Sequence, residues 1–186
     1  MSYASETDLK GYLGISGTSE DTLLAALLAR AQKVIEDYTG RTFEASDGTR
    51  YYDASYVEGD TLLLDADLIS LTSLTNGDGT EIPSEGCWLL PRNSPPYYAI
   101  RLRSSYSWTF DTDGEIIVTG SWGYSTTPPA TITHATIRLV AYYYRQKDTG
   151  VFDVTVFPEA GVLQVPKGLP EDVRILLEPY RRPIVR

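Results

Sequence analysis

A single histidine, a single cysteine and one methionine leave this chain few groups able to carry covalent or proton-transfer chemistry. His134 falls in the first turn of a segment with helical period. A general base there needs a nucleophile and an orienting carboxylate, and no spacing supplies either, so a structural or surface histidine is the better reading. Gly120-Ser121-Trp122-Gly123 departs from the G-x-S-x-G nucleophile elbow and lacks the strand-to-helix turn that strains such a serine. Asp111-Thr112-Asp113-Gly114-Glu115 opens like a calcium loop but has no later ligands and no glutamate at the twelfth position, which leaves a polar turn. The Asp65/Asp67 pair is equally weak as a metal motif. Cys87, between Gly86 and Trp88, suits a small buried hydrophobe, and a lone cysteine excludes an internal disulfide framework and a Cys-based zinc site. The aromatic surplus is more informative: 14 of 21 aromatic residues are tyrosine. Tyr142-Tyr143-Tyr144-Arg145, Tyr97-Tyr98 and Trp108 have the composition of a stacking platform for bases or sugars, or of a surface covered by another protein. Three consecutive tyrosines point three ways around a helix, so at most one belongs in a core.

The elements that carry these residues follow from periodicity. Ser5 with Asp8 has capping-box spacing before the stripe Leu9, Tyr12 and Leu13. Thr18 with Asp21 repeats the capping signal, and Leu23, Leu24, Leu27, Leu28, Ala31, Val34, Ile35 and Tyr38 then recur at three-and-four spacing. Gly40 follows where a left-handed residue ends a helix. From about Thr42 the period becomes two. Strands are expected at 49–54, 61–64, 70–75, 87–90, 97–103 and 115–121, with Asn76-Gly77-Asp78-Gly79 as a hairpin turn. Helical period returns from Ile132 to about Lys147. Residues 148–168 read as a small hairpin or long loop, because Phe152, Val154 and Val156 alternate. A short helix starts at Pro170 with Glu171 and Asp172 in its first turn, followed by an irregular basic tail. The fold class is therefore α+β. A small helical bundle, made of an N-terminal part over residues 1–43 and a C-terminal part over 126–186, holds an inserted antiparallel β-rich module over 44–125.

The net charge of −9 is uneven: −3 over residues 1–40, −8 over 41–125 and +2 over 126–186. A surface that grips phosphates leans the other way, so the acidity argues against tight DNA or RNA binding, whereas a wall past which DNA slides is compatible. No apolar run approaches the roughly 20 residues of a membrane span, and no signal peptide opens the chain. A soluble, cytosol-compatible protein is expected.

The run Asp8-Leu9-Lys10-Gly11-Tyr12-Leu13-Gly14-Ile15, the polar cluster after it, and Leu23-Leu24 through Ala31 to Ile35-Glu36-Asp37-Tyr38-Thr39-Gly40-Arg41-Thr42-Phe43 resemble the head–tail connector (adaptor) proteins of long-tailed bacteriophages. Pro128-Pro129 ahead of Ile132 to Tyr144, and Leu169-Pro170-Glu171-Asp172-Val173 to Pro179-Tyr180-Arg181, are similar to that family's closing helices. The resemblance covers residues 5–43 and 126–182. It implies a structural virion protein rather than an enzyme, with no cofactor and no metal. Such proteins form a ring, typically of twelve copies, beneath the portal, joining the capsid vertex to the tail or next head-completion protein around the DNA channel. They act in the virion neck after assembly in the host cytoplasm.

By the same resemblance, portal docking falls to Tyr180, Arg181, Arg182, Pro183, Ile184, Val185 and Arg186, and contact with the channel or next ring to Phe152, Val154 and Phe157 in the loop. Tyr142, Tyr144 and Arg145 are the expected subunit-interface residues. The β insertion departs from the compact, nearly all-helical members and is expected on the ring's outside or between subunits. Two alternatives compete: a carbohydrate- or surface-binding β module using Trp108 or Trp122, and a hydrolase built around His134.

Overall fold

The computed structural model describes residues 2–111, 114–149, 154–157, 161–164 and 168–182. The chain divides into two compact units, one of residues 1–40 with 129–186 and one of residues 41–128.

The first unit is helical. Helix α1 spans Glu6–Leu13, and its Ser5 hydroxyl accepts the Asp8 amide as the capping spacing predicts. Helix α2 runs Asp21–Thr39 and ends at Gly40, whose φ of 67° lets its amide turn back onto the Glu36 carbonyl. The second capping signal is not used in the expected way: Glu20 occupies the cap, with no side-chain cap bond, and Thr18 contributes only its backbone carbonyl, which accepts from Asp21. Helix α3 is Ala130–Thr149 and α4 is Glu171–Leu177, the latter beginning one residue after Pro170. The apolar stripes meet in one core: Leu9, Leu24, Leu28, Ile35, Ile132, Leu139, Val173 and Leu177 are all buried. Burial of each such side chain contributes about 1.5–3 kcal/mol. Across its amphipathic face, α3 packs on α1, α2 and α4.

The second unit is an antiparallel sheet. Its strands are β1 (Ser46–Tyr52), β2 (Val57–Glu58), β3 (Thr61–Thr75), β4 (Cys87–Leu90), β5 (Tyr97–Leu102) and β6 (Ile116–Trp122), in the order β1-β6-β3-β5-β4, with β2 on the end of β3. Residues 61–64 and 70–75, expected as separate strands, are one long strand. Its register slips at bulges, so its first part pairs with β5 and its last with β6. The first strand also starts and ends earlier than expected, and Asp53 instead caps a short 3-10 turn at Ala54–Tyr56. One face of the sheet closes over a core of Tyr52, Leu62, Leu68, Ile100, Ile116 and Trp122. Strands β7 (Val154–Phe157) and β8 (Gly161–Gln164) form a separate two-stranded hairpin in the helical unit's sequence, with Val156 opposite Val162.

The turn after β3 does more than reverse the chain. Asn76 is buried, and its amide nitrogen donates to the Ser107 carbonyl (2.9 Å) and Thr109 Oγ1 (2.8 Å), while its oxygen accepts from the Gly77 and Thr109 amides. The Thr109 hydroxyl passes the network on to Asp78, which also accepts from the Thr80 amide and hydroxyl. These bonds, from Thr109 first, hold the Asp78 carboxyl down from 3.8 to about 2. A carboxylate with a depressed folded pKa stabilises fully above its unfolded value and loses that contribution as pH falls through the folded one. The melting temperature of wild type is thus expected to exceed that of Asp78→Asn by its full margin above pH 3.8, with the margin shrinking towards pH 2. Melting curves followed by circular dichroism across that window check this; a margin independent of pH refutes it.

Candidate interaction surfaces

In the helical unit, α1, α3 and α4 leave a shallow groove of about 150 Å³. Ala141, Pro170 and Val173 supply apolar lining, Tyr12 and Tyr142 aromatic lining, and Arg145 a cation. Arg138 and Asp172, an ion pair between α3 and α4, also border it. Two of the three residues expected at a subunit interface, Tyr142 and Arg145, therefore meet at one groove. Tyr144 is elsewhere: Lys147 sits 4.1 Å from its ring centroid, and Lys147 also pairs with Glu20 at 2.8 Å. The Glu20 carboxylate raises the Tyr144 hydroxyl's pKa, and Lys147 lowers that of Glu20. None of the three consecutive tyrosines is fully buried; all are half-covered, and Tyr143 lies under the Arg30 guanidinium at 4.7 Å.

The start of the tail is held down. The Tyr38 hydroxyl donates to Glu178 at 2.6 Å, Arg181 lies 5.5 Å from the Tyr38 ring centroid, and the Arg182 amide donates to the Thr39 carbonyl at 2.8 Å. Tyr180 is half-buried in the 3-10 turn that follows α4. Pro183, Ile184, Val185 and Arg186 lie outside the described residues, as does Phe152. Val154 and Phe157 begin and end β7. On α4, Ile175 is 61% exposed, an isolated apolar side chain facing water.

In the β unit, the sequence picture of tryptophans as a sugar platform fails at Trp122. Its indole is buried, donates to the Gly48 carbonyl (2.9 Å), and lies beneath the Arg50 guanidinium at 4.8 Å. Trp108 is half-buried against the sheet core. Cys87 is buried, and loss of water raises its thiol pKa, as an inert core residue requires. His134 is exposed on α3. Among the described residues, no group of three or more His, Cys, Asp or Glu side chains is gathered as a metal site, and no helix is long and apolar enough to cross a membrane.

Sequence reading missed one constellation. Trp88 on β4 has Arg92 at 4.6 Å and Arg103 at 5.3 Å from its ring centroid. Fifteen residues separate Trp88 from Arg103, and only the pairing of β4 with β5 brings them together. The available signal was compositional: three of the five basic residues in 41–128 fall between positions 92 and 103.

Solved structures share this architecture of a helical unit with a β unit between its second and third long helices. A chain from the neck of an empty gene transfer agent particle, computed with sixfold symmetry, superposes with a TM-score of 0.66 at 21% identity, covering 97% of this chain and 90% of that one. A chain from the neck of the native particle, computed with twelvefold symmetry, gives 0.60 at 21% identity over 88% and 84%. One from the virion of the native particle gives 0.64 at 21% identity over 97% and 90%. The fold is thus one used in the necks of phage-like particles. A model of the head completion protein family matches residues 3–183, and the chain belongs to that family, which is structural rather than enzymatic. No curated protein matches the chain at a significant level.

Proposed function

We propose that this chain is a neck protein that forms a ring of twelve copies beneath the portal, joins the capsid vertex to the tail or the next head-completion protein, and surrounds the channel through which DNA passes. The observation that carries the reading is the family match over residues 3–183, joined to a fold shared with a chain of a neck computed with twelvefold symmetry. The charge supports it: a chain of net −9 adheres weakly to passing DNA. The virion neck is its place of action, reached from the host cytoplasm during assembly.

Within this reading, the groove bearing Tyr142 and Arg145 is a contact between neighbouring subunits, where an aromatic wall with a guanidinium is the composition that carries binding energy. The segment from Tyr180 to Arg186 docks on the portal. Its three arginines lie in the only net-positive stretch of the chain, and its start is held on the end of α2. The hairpin of β7 and β8, with Phe152 before it, faces the channel or the next ring.

The test mixes purified chain with portal rings and images the product. Rings of the chain stacked coaxially on the portal are expected. A strictly monomeric protein without portal affinity overturns the reading. Truncation after Pro179 is expected to leave the helical unit folded and to abolish portal binding; binding retained by the truncated chain refutes the docking assignment.

A further inference from the structure

Charges in the β unit are predominantly negative, with five Lys/Arg against thirteen Asp/Glu over residues 41–128. Three of the five cations are neutralised internally: Arg41 by Asp67, Arg50 by Asp65 and Arg101 by Asp60. The other two, Arg92 and Arg103, are exposed, and among the described residues neither has a carboxylate partner. Both guanidiniums instead lie against the ring of Trp88, within about 10 Å of each other. Two like charges held together on one indole, in a unit with abundant carboxylates, leave a cationic aromatic patch ready for an anionic partner.

We propose that this patch is an interface that docks the β1 edge of a second copy of the chain, where Asp47 is the strand's one carboxylate. The inference rests on the ring reading above. Strand β4, which carries Trp88, is one edge of the sheet, and β1 is the opposite edge. On β1, Asp47 and Tyr51 are exposed, on strand positions alternating with that of the buried Tyr52. Opposite edges of one sheet point away from each other, which is what a head-to-tail contact repeated around a cyclic ring requires. Charge makes the same choice of occupant. Identical units of strongly negative charge repel when set side by side, unless the positive patch of each meets a carboxylate of the next, here Asp47. Nucleic acid, by contrast, is repelled by the net charge of −8 on the unit that carries Arg92 and Arg103.

The experiment places a photo-cross-linking residue at position 92 of the full chain and irradiates assembled particles. The expected product joins the modified residue to the tryptic peptide 42–50 of a second copy, the peptide that contains Asp47. In parallel, R92E/R103E is expected to lower incorporation into necks about tenfold, and adding D47K to restore at least half of it. Unchanged melting temperatures, expected for substitutions at exposed positions, separate this from misfolding. Cross-links to another protein or to DNA, or none in necks that contain the chain, overturn the inference and leave the neck reading standing. Particles whose necks lack the chain overturn both.

Discussion

Replacing Gly120 by valine is expected to prevent the β unit from folding. Gly120 sits in the middle of β6, opposite Leu71 of β3 and Gly48 of β1. A Cβ built there comes within 2.3 Å of the Ser70 carbonyl oxygen and 2.8 Å of Leu68 Cδ1. The first of these is backbone in a central strand and cannot swing aside as a side chain end can. Relief requires β3 and β6 to part at the place where the register of β3 slips, between Leu68 and Ser70. Even alanine carries this contact, so Gly120→Ala is expected to destabilise by more than the usual 1–3 kcal/mol of an overpacked site, roughly. Tryptophan fluorescence makes the measurement simple, because all three tryptophans lie in this unit. A Gly120→Ala protein with wild-type unfolding midpoint refutes the argument.

The second large effect concerns the pair Arg41 and Asp67. Asp67 is 4% exposed and accepts from Arg41 Nη1 with both carboxylate oxygens at 2.8 Å. The same guanidinium lies 5.2 Å from the Tyr124 ring centroid. Asp67→Ala strands a guanidinium whose Nε already lacks a partner, and the expected loss is about 3–5 kcal/mol. Arg41→Met in the same background is expected to recover most of that, since replacing both members of a buried pair by apolar groups is often close to neutral. Denaturant unfolding of the two singles and the double closes the cycle. Additive losses show that the pair is not coupled.

These two sites also mark where the sequence is readable and where it is not. Helices α1 and α2 are legible because their determinants are local: Ser5 reaches Asp8 three residues on, and Gly40 ends a regular apolar stripe. The α+β class follows from the change of period, and the span of β4 is recovered in full. The long strand β3 is not, because Asp65-Ala66-Asp67 interrupts its apolar alternation and reads as a break. What makes those aspartates acceptable in a strand is distant. Tyr52 and Arg50 satisfy Asp65, and Arg41 satisfies Asp67 from 26 residues away. The Asn76 turn shows the same limit. Its residues announce a reversal of the chain, but the buried amide's bonds to residues 107 and 109 are tertiary and leave no local trace. At the surfaces, residue type pointed to Tyr142 and Arg145, which meet at one groove, but could not reveal that Tyr144 is engaged by Lys147 and Glu20.

The segments by which the chain enters and leaves the β unit run side by side. The Tyr124 amide donates to the Thr42 carbonyl at 2.7 Å, the Ala45 amide to the Ser125 carbonyl at 2.9 Å, and Ser46 is then paired with Trp122. An excursion of some eighty residues thus begins and ends at nearly one point, like a hairpin drawn at the scale of a domain. For the rest of the chain, it is equivalent to a tight turn. Closing a short loop in its place changes the chain-closure entropy only logarithmically, by about 0.6 kcal/mol for each halving of length. Such a cassette can be acquired, exchanged or discarded in evolution without rewriting the helices on either side. The helical frame and the sheet are thereby free to diverge at different rates.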